Sequence, residues 1–254
     1  MGISAGYKPN IEVADDSESL ALRCVNFFVT NAQKMIKAKG VFYVAISGGN
    51  TPRRFFELLG EVPEAKNLPW DKIQLFWVVE RYVPLDSPSS NYRLAAGTFL
   101  PKITIPQKNV HRIPTEYGDI KMAARCYEKE IRKVFGLEEG RFPQFDLIVL
   151  GMGADGHTGS LFPNSFAPFD KDDLACVVYV LDEKLNRITL THPVLRAAFC
   201  LVVLVAGEEK SGILKEVLTS EPDEVRYPIH LLWPVLDKII WLVDSKAAKL
   251  LQQG

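Results

Sequence analysis

The feature that most constrains this chain is a series of short apolar runs alternating with amphipathic stretches. Val41–Ile46 (VFYVAI) and Cys200–Ala206 (CLVVLVA) are apolar at every position, and Ile73–Val79 (IQLFWVV), Phe145–Leu150 (FDLIVL) and Lys238–Val243 (KIIWLV) nearly so. A strand with one face in water alternates apolar and polar residues, whereas a strand covered on both faces does not. Cys176–Leu181 (CVVYVL) and Arg187–Thr191 (RITLT) read as further strands in the same rhythm. Helical periodicity fills the gaps: Asp15–Lys39, a segment from near Pro52, a short one from about Asn91, Asp119–Phe135, Glu208–Leu218 and Ser245–Leu251. Asp16 or Ser17 is placed to cap the first helix, and Gly40 sits where a helix C-terminus favours glycine. The pattern predicts a Rossmann-like, doubly wound α/β fold with a mostly parallel sheet and helices on both faces. No Gly/Ser-rich linker or internal repeat divides the sequence, so residues 1–254 are expected to form one domain.

In such folds ligands bind beyond the carboxyl ends of the strands. Three unusual loops each follow an apolar run: SGGNTP after Ile46, ERYVP after Val79 and GMGADGHTGSLFP after Leu150. Three loops at one sheet edge make one site. In the first, Gly48 and Gly49 allow close approach of the backbone to a ligand. Ser47 and Thr51 add hydroxyls, Asn50 an amide, and Pro52 is suited to opening a helix whose N-terminus favours an anion. A phosphate cradle and an ordinary strand-to-helix turn both fit this loop.

The third loop matches G-x-G-x-x-G at Gly151, Gly153 and Gly156, but a dinucleotide site needs a helix opening at the third glycine. Pro163 and Pro168 oppose one, so a nicotinamide cofactor is disfavoured. The loop instead carries Asp155 and His157, a titratable pair suited to proton transfer. The other histidines read as structural: His111 near a strand-like segment, His192 at a turn before Pro193, and His230 partly buried. Arg81, Arg187 and Lys210 lie where strands end or helices begin and are candidates to hold an anionic substrate. The competing reading for each is a solvated surface charge.

Charge and cysteine usage narrow the class further. Thirty Lys and Arg against 31 Asp and Glu give a net charge of -1, which does not suggest a nucleic-acid or membrane-surface partner. Cys24, Cys126, Cys176 and Cys200 lie far apart, with no CxxC pair, and read as reduced structural thiols, not metal ligands. The first ten residues lack a signal-peptide pattern and the apolar runs are too short to span a bilayer, so a cytoplasmic protein is expected.

Taken in order, SGGNTP, ERYVP with Ser90-Asn91, FDLIVLGMGADGHTGSLFP, RITLT and GEEK resemble the 6-phosphogluconolactonase family. The resemblance runs from about residue 15 to the C-terminus, and GMGADGHTGSLFP is its most specific part. It implies a Rossmann-like fold with a small adjoining subregion, and hydrolysis of 6-phosphoglucono-1,5-lactone to 6-phosphogluconate in the oxidative pentose phosphate pathway. It also implies roles: His157 as general base, Asp155 orienting it, Arg81 near the reacting end, and the Ser47–Thr51 loop, Arg187 and Lys210 on the phosphate. Neither metal nor redox cofactor is implied, since a lactone is an activated ester. One departure stands out. The family usually carries Asp-Glu-Arg where this chain has Val79-Glu80-Arg81. The lost carboxylate is either missing outright or supplied by a neighbour such as Glu80. Rival readings are a sugar-phosphate deaminase or isomerase of the same superfamily, and a noncatalytic sugar-phosphate-binding protein. The related deaminases follow the histidine with a run ending in Asn-Glu-Pro, unlike SLFP, and have a catalytic Asp at the Val79 position.

Overall fold

The structure, a computed structural model, describes residues 9–163, 165, 170–180 and 185–251. In chain order its elements are β1 (Asn10–Ala14), α1 (Ser17–Lys39), β2 (Phe42–Ile46), α2 (Asn50–Leu59), α3 (Pro63–Lys66), β3 (Ile73–Trp77), β4 (Val79–Arg81), α4 (Asn91–Thr98) and β5 (Val110–His111). There follow α5 (Ile120–Phe135), β6 (Leu147–Gly151), β7 (Ala175–Val178), β8 (Arg187–Leu190), α6 (His192–Ala197), β9 (Leu201–Val205), α7 (Ser211–Thr219) and β10 (Ile239–Asp244). Seven strands form a wholly parallel sheet in the order β1-β10-β9-β6-β2-β3-β5. The apolar runs occupy its centre: every residue of β9 is buried, and in β2 only Tyr43 is partly exposed.

The local signals explain the helix ends. Asp16 accepts from the Ser19 amide and caps α1, and Gly40 closes it at φ 82° with its N–H on the Ile36 carbonyl. The buried face of α1 packs Phe28 against Phe42, Phe55 and Trp70. Asp119 caps α5 and Gly136, at φ 64°, ends it.

The strand order has one reversal that positions everything functional. From β2 the chain moves outward to β3 and β5; it then returns to β6 on the other side of β2 and moves the opposite way to β9 and β10. Because parallel crossovers are right-handed, the helices of the two halves go to opposite faces. The loops leaving β2 and β6 therefore diverge, opening a crevice at the carboxyl edge of the sheet.

Several expectations are corrected. The run Ile73–Val79 is not one strand. β3 ends at Trp77; Val78 donates its N–H to Ile46 in the large sheet (2.9 Å) and accepts from Leu190 with its carbonyl (2.8 Å). Val79 then starts β4 in a second, antiparallel sheet of order β4-β8-β7. The strands read in CVVYVL and RITLT, observed as β7 and β8, thus belong to this small sheet and not to the parallel rhythm, while Leu181 lies outside the described residues; the small sheet is the adjoining subregion. The helix expected from Glu208 starts as a 3-10 turn, Glu208–Lys210, and becomes α-helical at Ser211. Residues 245–251 form successive turns in place of a terminal helix. Asp244 directs them by accepting from the Ala247 amide (2.8 Å) while also holding Gly207 N–H at 3.1 Å.

Candidate active site

The three loops singled out in the sequence do converge. They line one cavity at the carboxyl edge of the large sheet, against strands β4 and β8 of the small one. Ser47, Gly48 and Gly49 come from the β2–α2 connection, Pro52 from the first turn of α2, and Val79 and Arg81 from β4. The β6 strand and its loop give Gly151, Met152, Gly153, His157 and Gly159; β8 gives Arg187, and the connection after β9 gives Lys210. Asn91, at the start of α4, completes the wall.

His157 is fixed by its loop before its chemistry begins. Gly153 N–H donates to the His157 carbonyl (2.8 Å), Gly156 N–H to the Gly153 carbonyl (3.2 Å), and the Gly156 carbonyl accepts from Ile229 (3.1 Å). Gly156 takes φ 78°, a conformation suited to glycine. Gly153 is needed for space instead, because a Cβ there would lie 2.1 Å from His157 Nδ1 and 2.7 Å from Asp155 Oδ1. The imidazole rests directly on that bare backbone, and its other side meets Phe162, with ring centroids 4.4 Å apart.

Asp155 Oδ1 lies 2.5 Å from His157 Nδ1 and 3.1 Å from His157 N–H. Partial burial pushes the Asp155 carboxyl up, but the hydrogen bonds and charge of His157 outweigh it and hold the group below its ordinary value. An ionised carboxylate can only accept, so Nδ1 carries a proton, and in the neutral ring Nε2 is the nitrogen with the lone pair. The His157 side chain is 25% exposed at the cavity wall, where a small molecule such as water can reach the ring.

The rest of the charged lining is cationic. Arg81 and Arg187 face each other across the β4–β8 pair. Arg187 is buried, with its guanidinium 4.9 Å over the Phe162 ring. Burial lowers the Lys210 ammonium from its ordinary value, with Glu209 and Asp244 opposing the shift. Gly49, at φ 121°, is the N-cap of α2 and supplies no side chain, so the helix N-terminus is open to the cavity for an anion. Ser47 Oγ is buried and has no hydrogen-bond partner among the described residues. The side chains of Asn50 and Thr51, also expected in this cradle, lie outside the described residues, as does Pro168. Residues 157–163 form isolated bridges and turns, not a helix, consistent with the rejection of a dinucleotide fingerprint.

Glu80 does not replace the carboxylate absent at Val79. It is buried away from the cavity, accepting from Arg81 N (2.8 Å), Asn91 N (2.7 Å), Tyr92 N (2.7 Å) and Ser90 Oγ (3.0 Å). Burial pushes its carboxyl up, and these hydrogen bonds pull the other way. Asn91 and Met152 were not singled out as site residues from sequence; both lie within quoted motifs but carry no titratable group to attract notice. The other histidines are structural. His111 bridges Gln74 (2.7 Å) and Glu130 (2.9 Å), and His192 is buried in the first turn of α6. His230 is fully buried, more than expected, between the Asp223 amide and the Val217 carbonyl.

A cation-rich crevice at the switch point of a doubly wound sheet, walled by an imidazole–carboxylate pair, defines an α/β enzyme for small anionic metabolites. The chain belongs to the glucosamine-6-phosphate isomerase/6-phosphogluconolactonase family, whose profile matches residues 15–241. It is 39% identical to the 6-phosphogluconolactonase of Synechocystis sp. over 95% of this chain and 98% of the relative. A probable 6-phosphogluconolactonase from Arabidopsis thaliana is 35% identical over 94% and 92%. Among solved structures, the 6-phosphogluconolactonase of Thermotoga maritima superimposes with a TM-score of 0.78 at 32% identity, covering 94% of this chain and all of that one.

Proposed function

We infer that this chain is a 6-phosphogluconolactonase, hydrolysing 6-phospho-D-glucono-1,5-lactone to 6-phospho-D-gluconate in the oxidative pentose phosphate pathway. Substantial identity over nearly the full length of enzymes bearing that name supports the reaction. The single observation that carries the residue assignment is the 2.5 Å contact of Asp155 with His157 on the wall of a pocket otherwise charged only by Arg81, Arg187 and Lys210, among the described residues.

In this reading the 6-phosphate sits against the N-terminus of α2 and the Ser47–Gly49 loop, neutralised by Lys210 and Arg187, which leaves the lactone carbonyl toward Arg81 and His157. His157 Nε2 takes a proton from water as the water oxygen bonds to C1. Asp155 stabilises the resulting imidazolium through Nδ1–H, and Arg81 faces the charge growing on the carbonyl oxygen. When the bond from C1 to the ring oxygen breaks, the imidazolium returns its proton to that oxygen, and the new acid ionises. Val79 places an apolar wall where a deaminase would need its acid, which disfavours that rival reading.

The site draws on both sheets, which supports residues 1–254 acting as a single domain. A cytoplasmic location belongs to the same proposal; its support is that all four cysteines are free thiols. Among the described residues, no helix is long and apolar enough to cross a membrane.

The decisive experiment is lactone hydrolysis on freshly generated substrate, corrected for spontaneous opening. Wild type should accelerate it, and His157→Ala should lose at least roughly a hundredfold in kcat. A wild type that binds 6-phosphogluconate without accelerating hydrolysis would overturn the activity. A fully active His157→Ala would overturn the base.

A further inference from the structure

The cavity contains one contact set whose purpose the reaction scheme does not explain. Asn91 Oδ1 accepts from Arg81 Nη1 at 3.1 Å, while Asn91 Nδ2 donates to the Val79 carbonyl at 2.7 Å. The amide thus bridges the two ends of β4, and both of its polar ends are used. Its backbone is held as well, because Asn91 N–H donates to Glu80 at 2.7 Å. Arg81 has one other described side-chain contact, from Nη1 to the Ser89 carbonyl at 3.0 Å. Both acceptors are neutral. The guanidinium is therefore aimed without being neutralised, and its full charge remains available to the cavity. The same oxygen meets the phosphate loop: a Cβ on Gly48 would sit 2.1 Å from Asn91 Oδ1, 2.2 Å from Cγ and 2.6 Å from Cβ.

We propose that Asn91 is a positioning residue for Arg81, a neutral strut wedged between the Gly48 backbone and β4 that aims the guanidinium into the cavity. It acts on the reaction through Arg81, so the proposal rests on the lactonase reading above. It also assigns Gly48 a second purpose, since the absent side chain makes room for the strut.

A double-mutant cycle tests it, read as separate kcat and KM values, with thermal unfolding of each variant as the check on folding. Asn91→Ala should lower kcat roughly tenfold, with a much smaller change in KM, because an interaction made only in the transition state is lost. In an Arg81→Ala background the same substitution should do almost nothing, since there is no guanidinium left to aim. Gly48→Ala supplies an independent arm with Asn91 and Arg81 both intact: its Cβ displaces the strut, and kcat should fall as in Asn91→Ala. Adding Asn91→Ala to Gly48→Ala should then cost nothing further in kcat, because the strut has already been displaced from Arg81. If Asn91→Ala costs the same factor with and without Arg81, or if the Gly48 and Asn91 losses multiply, the strut is refuted. Those results require an active wild type, so they are distinguishable from failure of the lactonase reading, in which wild type itself gives no acceleration.

Discussion

At the scale of single residues, the site depends as much on missing side chains as on present ones. Gly153 is the sharpest case, because the His157 ring occupies the space its Cβ would need. Gly153→Ala should therefore keep the fold but displace the imidazole by about an ångström, lowering kcat on the order of a hundredfold. Steady-state kinetics beside a melting curve will check this; an alanine variant with wild-type kcat would show that the ring has another place to stand. His157 and Asp155 were legible in sequence because titratable groups in a glycine-rich loop after a buried strand are uncommon. Asn91 was not, since an uncharged amide at a helix start looks like any first-turn residue. Glu80 was visible but ambiguous: only the structure shows that its carboxylate turns inward to four donors and leaves the cavity to Val79.

At the scale of elements, α4 shows how a short helix is tied to the site. Ser90 Oγ accepts from the Arg93 amide (3.1 Å) as N-cap and donates to Glu80 (3.0 Å), and it is buried. Ser90→Ala removes both, so a loss of about 1–2 kcal/mol is expected. Denaturant unfolding would measure it, and a loss near zero would mean that the cap carries no stability. The central strands and long helices were readable from periodicity and caps. The break at Val78 was not, because the residues on both sides of it are buried and an apolar run gives no sign of where one sheet hands over to another. β1 was missed because Asn10–Ala14 is a short edge strand, only its last residue buried, with too little apolar character to stand out. The turns after β10 have a helical composition but are organised by Asp244, a single buried carboxylate whose effect no local pattern announces.

At the scale of the whole molecule, a buried histidine links stability to pH. His230 accepts from the Asp223 amide through Nδ1 (2.8 Å) and so donates through Nε2 to the Val217 carbonyl (2.9 Å), which requires the neutral ring. Burial lowers its pKa below the usual 6.5. Below 6.5, and down to the lower native pKa, the unfolded chain binds a proton that the native chain refuses, so this contribution is complete above about 6.5 and is lost as the pH falls from there through the native pKa. Unfolding free energies between pH 8 and 5 should decline more steeply for wild type than for His230→Gln, even if the variant starts lower; parallel slopes would exonerate His230. The same global view gives meaning to the pairing of β1 with β10, the first and last strands of the sheet. On the ribosome β1 emerges first and its neighbour last. The last two strands on this edge of the sheet, β10 and β1, can therefore zip up only after synthesis has passed Asp244, and a chain stalled short of Ile239 exposes bare strand edges on both β1 and β9, inviting aggregation in place of folding.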